Sequence, residues 1–200
     1  MYQVVGISLG LRQLTPDDIT DEMMAWFSDD GLMKYYTNSK NQITKESLSE
    51  AIVQGKHVGN NFTYGIFHIA SFKCIGTIRL GPINLPHKIS DLVVLIGDRE
   101  YHGKGLAVEA IALGNKVAFE IHGLRKLFGG MYASNIASIK AYLRAGWVAE
   151  GILKGHYLNK SKAEDRIEVG CFNPDFFTEK EMAEAQLLSL DSIIEKYQSM

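Results

Sequence analysis

Residues 91–109, DLVVLIGDREYHGKGLAVE, decide how this chain folds. The stretch opens with an apolar run, Leu92, Val93, Val94, Leu95 and Ile96, rich in β-branched residues and of the length of a buried strand. A polar turn follows and ends in Gly103-Lys104-Gly105. From there apolar residues recur at helical spacing: Leu106, Ala107, Ala110, Ile111, Gly114, Val117, Ala118 and Ile121. The glycines therefore stand where a strand hands over to a helix.

That position has a chemical meaning. The first N–H groups of a helix lack internal partners, and the dipole makes that end positive. Glycines let the backbone come close to a bound group, so the turn is a ready phosphate site, with Lys104 adding charge. A tight turn that binds nothing is the alternative. A P-loop would need Ser or Thr after Lys104, and Gly105 stands there; a dinucleotide fingerprint would need a small residue three positions after Gly105, and Val108 stands there.

A third pattern fits better. Glu100-Tyr101-His102-Gly103-Lys104-Gly105 resembles the pyrophosphate-binding loop of the GNAT (GCN5-related N-acetyltransferase) family, Gln/Arg-x-x-Gly-x-Gly/Ala, with Glu100 departing at its first position. Further on, Asn135-x-x-Ser138-x-x-x-Tyr142-x-x-x-Gly146-Trp147 resembles the family's Asn-x-x-Ser/Ala-x-x-x-Tyr-x-x-x-Gly-Phe signature. Two partial motifs in order and at the usual distance are far more specific than either alone. The resemblance covers about residues 11–172 and is closest to the branch of ribosomal-protein-alanine and amino-sugar acetyltransferases.

The bulk properties fit an ordinary globular domain. The chain has 200 residues, 46% hydrophobic and 22% charged, enough for one real core. A net charge of -2 argues against a dedicated nucleic-acid binder. Two cysteines, Cys74 and Cys171, sit in apolar contexts without metal-ligand spacing, which reads as reduced core residues in a cytoplasmic protein, with no metal. The N-terminus lacks signal-peptide features, and no apolar run approaches a membrane span.

In chain order we expect a strand over residues 4–14, a helix from Thr15 to about Ser28, and a loop with short helical turns over 29–41. A helix over 44–54 follows, then a turn at 55–61 and a hairpin over 62–70 and 73–80. After the central strand and helix come a strand over 125–133 and a short helix capped by Asn135. A second hairpin (147–153 and 165–172) carries a polar linker at 154–164, and one last helix opens with the capping box at Thr178. The fold class expected is α/β (α+β): a single domain over residues 1–173 with a mixed, mostly antiparallel sheet of about seven strands flanked by helices. Residues 174–200 form a C-terminal helical extension, available to cover its own domain or a second copy, so a homodimer stays open.

The resemblance implies further that the strands around Leu92 and Leu127 splay apart and that acetyl-coenzyme A is the donor to a primary amine, without a metal. Gly103, Lys104, Gly105, Leu106 and Ala107, with His102, would hold the pyrophosphate. The backbone of Val94, Leu95 and Ile96 would meet the pantetheine arm, near which Asn135 also lies. Tyr142 would protonate the leaving thiolate and Asp91 would serve as base, with His68, His102 and His156 as weaker bases. Each has a plainer alternative: core strand for 94–96, a packing tyrosine for Tyr142, a helix cap for Asn135, a solvated carboxylate for Asp91. Segments 34–39 and 154–165, including Lys154 and Asp165, would choose the acceptor. That acceptor is an amino sugar (nucleotide-linked or free) or a protein N-terminus, with a polyamine or another small amine as the alternative. A coenzyme A-binding module without catalysis is the rival from another class. Neither nucleic acid nor membrane is an expected partner.

Overall fold

The decisive stretch folds as a strand, a turn and a helix, and the remaining elements close around it. A computed structural model describes residues 1–36, 43–159 and 161–198. In chain order its elements are β1 (Val4–Val5), β2 (Leu9–Gln13), α1 (Asp21–Phe27), α2 (Asp30–Met33), α3 (Lys45–Val58), β3 (Phe62–His68), β4 (Lys73–Leu80), β5 (Ile89–Ile96), α4 (Leu106–Lys116), β6 (Lys126–Tyr132), α5 (Ile136–Arg144), β7 (Val148–Asn159), β8 (Lys162–Phe172), α6 (Glu179–Glu184) and α7 (Leu190–Tyr197).

Among the described residues the eight strands form one sheet in the order β1-β2-β3-β4-β5-β6-β8-β7. Every neighbouring pair is antiparallel except β5–β6, which is parallel. That parallel pair is short. It runs through Ile89↔Lys126, Ser90↔Leu127 and Asp91↔Phe128 and stops. Beyond it β5 stays with β4 as far as Ile96, and β6 stays with β8 as far as Tyr132. The two central strands therefore part after Asp91, as the family resemblance implies.

Alternation along the strands assigns the two faces. Leu92, Leu127 and Ile167 join the main core with Ile111 of α4 and Ile139 of α5. On the opposite face Leu95 packs with Leu14, Met23, Trp26 and Ile52, under α1 and α3. The indole of Trp26 lies so close to Gly97 that a Cβ there would stand 2.1 Å from the ring. Trp26 thus clamps the end of β5 where the turn begins.

Several expected boundaries move, each for a physical reason. The first strand divides: Gly6 N bonds Leu9 O in a tight turn, and the Glu109 carboxylate accepts from the amides of Ser8 and Leu9, which adds β1 as an eighth strand to the expected seven or so. The helix at Thr15 is only a 3-10 turn, Pro16–Asp18; Thr20 caps α1 by accepting from Met23 N. In α3, Gly55 stays within the helix and lacks a side chain because Asn61 O packs against it, and the αL residue Gly59 ends the helix instead. Most of the expected polar linker is strand, over residues 154–159 and 162–164, since β7 and β8 continue past register shifts to Asn159↔Lys162. The last helix is two, because Ser189 caps α7 separately by accepting from Ser192 N. In that second helix Ile193 and Tyr197 are buried against the domain.

Candidate active site

Where β5 and β6 part they leave a cleft of about 1020 Å³. Its lining includes Asp91, Val94, Leu95, Ile96, His102, Gly103, Gly105, Leu106, Ala107, Asn135 and Tyr142. The splay thus gathers nearly every candidate residue into one place. Lys104 is the exception. Its Nζ lies 5.2 Å from the centre of the Tyr101 ring, and the side chain is outside the cleft lining.

The turn owes its shape to two glycines in the left-handed region, Gly103 (φ 72°) and Gly105 (φ 75°), the second of which is the N-cap of α4. No atom lies within 4 Å of where a Cβ on either would stand, so the backbone faces open space. The first amides of an eleven-residue helix stand beside it. This is an anion cradle made of backbone alone, which fits a pyrophosphate without requiring Lys104.

The backbone of β5 is the second component. In an antiparallel pair, one residue turns its N–H and C=O to the same side, and successive residues alternate. The carbonyl of Leu92 accepts from Tyr142 Oη at 2.9 Å, so it faces the gap. Val94 and Ile96 face it too. Leu95 does not: its oxygen stands 2.1 Å from the place of a Cβ on Gly76, on the β4 side. Of the three residues expected to offer backbone groups, Val94 and Ile96 do so, and Leu95 contributes only to the wall. His102 already donates from Nε2 to the Ile96 carbonyl at 2.8 Å.

Tyr142 sits at the vertex of the splay. Its hydroxyl thereby satisfies an edge group that β6 has abandoned. Burial, with the charge of Asp91, pushes its pKa well above that of a free tyrosine. Trp147 meets the ring edge-on at 4.8 Å. The indole donates to Asn115 Oδ1, whose amide donates to Ala145 O, tying α4 to the end of α5. Asn135 caps α5, accepting from Ser138 N at 3.3 Å, and also lines the cleft.

Asp91 lies on the other face from Leu92, by alternation. Arg79 Nη2 is 3.2 Å from its carboxylate, yet burial outweighs the arginine and raises the pKa above the usual aspartate value. The same face carries Arg166, Glu168 and Tyr132, which the sequence reading did not single out, beside Tyr35 and Tyr157 from the two segments expected to choose the acceptor. Arg166 Nε pairs with Glu168 at 2.5 Å, and its guanidinium lies on bare backbone at Gly130, where a Cβ would stand 1.8 Å from Nε. Tyr132 and Tyr157 stack at 4.0 Å, and Tyr35 tilts onto Tyr132 at 5.5 Å. The sequence signal for the arginines was slight: Arg79 interrupts an apolar strand, while Arg166 stands among Glu164, Asp165 and Glu168.

The remaining candidates are placed elsewhere. Tyr35 and Tyr36 line the cleft, while Thr37, Asn38 and Ser39 fall outside the described residues. Asp165 is not in the lining. It holds Lys154 at 2.7 Å and takes bonds from Gly155 N and Tyr197 Oη, and Lys154 together with that tyrosine keeps its pKa down at about 2. His68 bonds Ser71 away from the cleft, whereas His156 lines it. Among the described residues no group of three or more metal-binding side chains comes together, and no helix is long and apolar enough to cross a membrane.

Comparison with known proteins bears on this geometry. The family description "Acetyltransferase (GNAT) domain" matches residues 8–148. The spermidine N(1)-acetyltransferase of Escherichia coli (strain K12) is 28% identical over 104 residues, 52% of this chain and 55% of that protein. The chain spans 55% to 63% of the length of the first curated relatives it matches. Among solved structures, spermidine N-acetyltransferase from Vibrio cholerae in complex with CoA and spermine superposes with a TM-score of 0.75 at 21% identity, covering 84% of this chain and 98% of that one. The ribosomal-protein-S5-alanine acetyltransferase of Vibrio fischeri gives 0.73 at 20% identity, covering 87% and 98%. At such identities the likeness speaks to the fold.

Proposed function

This chain belongs to the acetyltransferase (GNAT) family, and on that premise we propose that it is an N-acetyltransferase that moves an acetyl group from acetyl-coenzyme A directly to a primary amine. The observation that carries this is the juxtaposition at the splay. The open glycine cradle, the gap-facing backbone of Val94 and Ile96, and the phenol of Tyr142 all border one cleft.

When bound, acetyl-coenzyme A supplies a thioester that an amine can attack. Gly103, Gly105, Leu106 and Ala107 would hold its pyrophosphate through backbone amides and the start of α4. The edge of β5 would align the pantetheine arm, with Asn135 beside it. Asp91 would accept a proton from the incoming amine, and burial raises the proton affinity of its carboxylate. Tyr142 keeps its proton because its pKa is raised, and can release it toward sulfur. The two groups reach the vertex from opposite faces of the sheet, which separates proton removal from proton delivery.

The setting is cytoplasmic in this reading. Cys74 and Cys171 are free, and burial pushes their thiols up to about 11 and about 12, which suits inert core residues. A second acceptor reading, a polyamine, is favoured by the name of the Escherichia coli relative.

A thermal-shift titration with acetyl-coenzyme A, followed by thiol-release turnover with a panel of amines, tests the proposal. Stabilisation that saturates with the thioester, together with amine-dependent thiol release, supports it. A folded sample that millimolar acetyl-coenzyme A leaves unchanged rules it out.

A further inference from the structure

We infer that the acceptor is a monoamine that also carries an oxyanion, a phosphate or a carboxylate, read by Arg166 and His156, and that polyamines are poor acceptors; this rests on the acetyltransferase reading above.

The first ground is the state of the carboxylates. A polyamine brings ammonium groups beyond the one acetylated, and each needs an unpaired carboxylate or remains a buried charge without a partner. Asp91 is the one carboxylate of the cleft lining among the described residues, and it is paired with Arg79. The neighbouring Glu168 is paired with Arg166. Residues 37–42, 160, 199 and 200 contain neither Asp nor Glu, so no further acid is to be found there.

The second ground is the arginine edge that faces the cleft. Arg79 and Arg166 both line the cleft. Arg166 turns Nε and Nη2 toward Glu168, leaving Nη1 on the side of His156, whose Nε2 is 3.4 Å away. The guanidinium is held in advance: Gly130 gives it a flat seat, Glu168 fixes one edge, and the Tyr157 ring centre is 5.8 Å from Cζ. A rigid arginine edge beside a histidine offers N–H donors to an oxyanion and no unpaired carboxylate to an ammonium. The stacked Tyr132–Tyr157 pair supplies a stiff flank for the body that joins amine and oxyanion.

The test is calorimetric binding with coenzyme A present, using three probes: glucosamine, glucosamine 6-phosphate and spermidine. The expected order has the phosphate compound at least about tenfold tighter than glucosamine, with spermidine weakest. Arg166→Gln and His156→Glu should each erase the advantage of the phosphate while coenzyme A affinity stays as in the wild type. His156 is exposed, so that variant keeps the test alive if Arg166→Gln does not fold. Spermidine binding as tightly as the phosphate compound, equal binding of the two sugars, or no binding by any probe overturns the inference and leaves the acetyltransferase reading standing. Failure of coenzyme A itself to bind takes down both.

Discussion

Tyr142 donates its hydroxyl proton to the carbonyl of Leu92 across 2.9 Å, at the level where β5 loses its partner β6. The bond satisfies a strand edge that would otherwise be buried and unpaired, and it holds the phenol at the vertex of the cleft. Tyr142→Phe should lower kcat by about 100- to 10,000-fold, the range for a lost general acid, with coenzyme A affinity retained. It should also cost roughly 1–3 kcal/mol of stability, because the Leu92 carbonyl is left without a donor. Steady-state kinetics and denaturant unfolding read both effects. An unchanged kcat would mean that the tyrosine only braces the strand.

Asp91 should set the acid limb of the rate profile. Its folded pKa is raised by burial, and it acts as base only when ionised, so kcat/KM falls as pH drops through that raised value. Asp91→Asn should lower the rate and remove the limb. A variant that keeps the wild-type limb would place the base elsewhere.

Gly105 and Gly146 offer a matched pair, with φ of 75° and 89° and no atom within 4 Å of a Cβ in either case. An alanine at either costs roughly 1–2 kcal/mol through backbone strain alone. Only Gly105 belongs to the anion cradle. Gly105→Ala should therefore weaken coenzyme A binding as well as stability, and Gly146→Ala should affect stability alone. Equal cofactor affinity in the two variants would remove the cradle from the binding site.

Asp165 should make the fold acid-sensitive without touching the chemistry. Its pKa is lowered to about 2 from an ordinary 3.8 by Lys154 and Tyr197, so its contribution is present above the ordinary value and is lost as pH falls toward about 2. Asp165→Asn should unfold at lower urea than the wild type at pH 6, and the difference should shrink between about pH 4 and pH 2. A difference that is independent of pH would assign the effect to packing of α7.

The strand, glycine turn and helix of residues 91–116 could be read directly, as could the caps at Asn135 and Thr178. Each depends on residues within a few positions of one another, through period, caps and φ preference. Continuity was harder. The helix at Thr15 and the last helix both looked unbroken because a second cap, at Thr20 and at Ser189, competes only weakly with the apolar pattern around it. The register shifts that carry β7 and β8 past residue 153 leave no local mark.

Local chemistry thus settles which segments are helix or strand and where an anion can rest on exposed backbone. The site as a whole depends on contacts far apart in the chain. Tyr142 meets Leu92 across fifty positions, and Gly130 is empty so that Arg166 can lie on it. The parting of β5 from β6 follows from each strand holding its other neighbour. Strand pairing and side-chain reach are set by the packed whole, so the vertex, the two opposed faces and the arginine wall emerge only when the sheet is assembled.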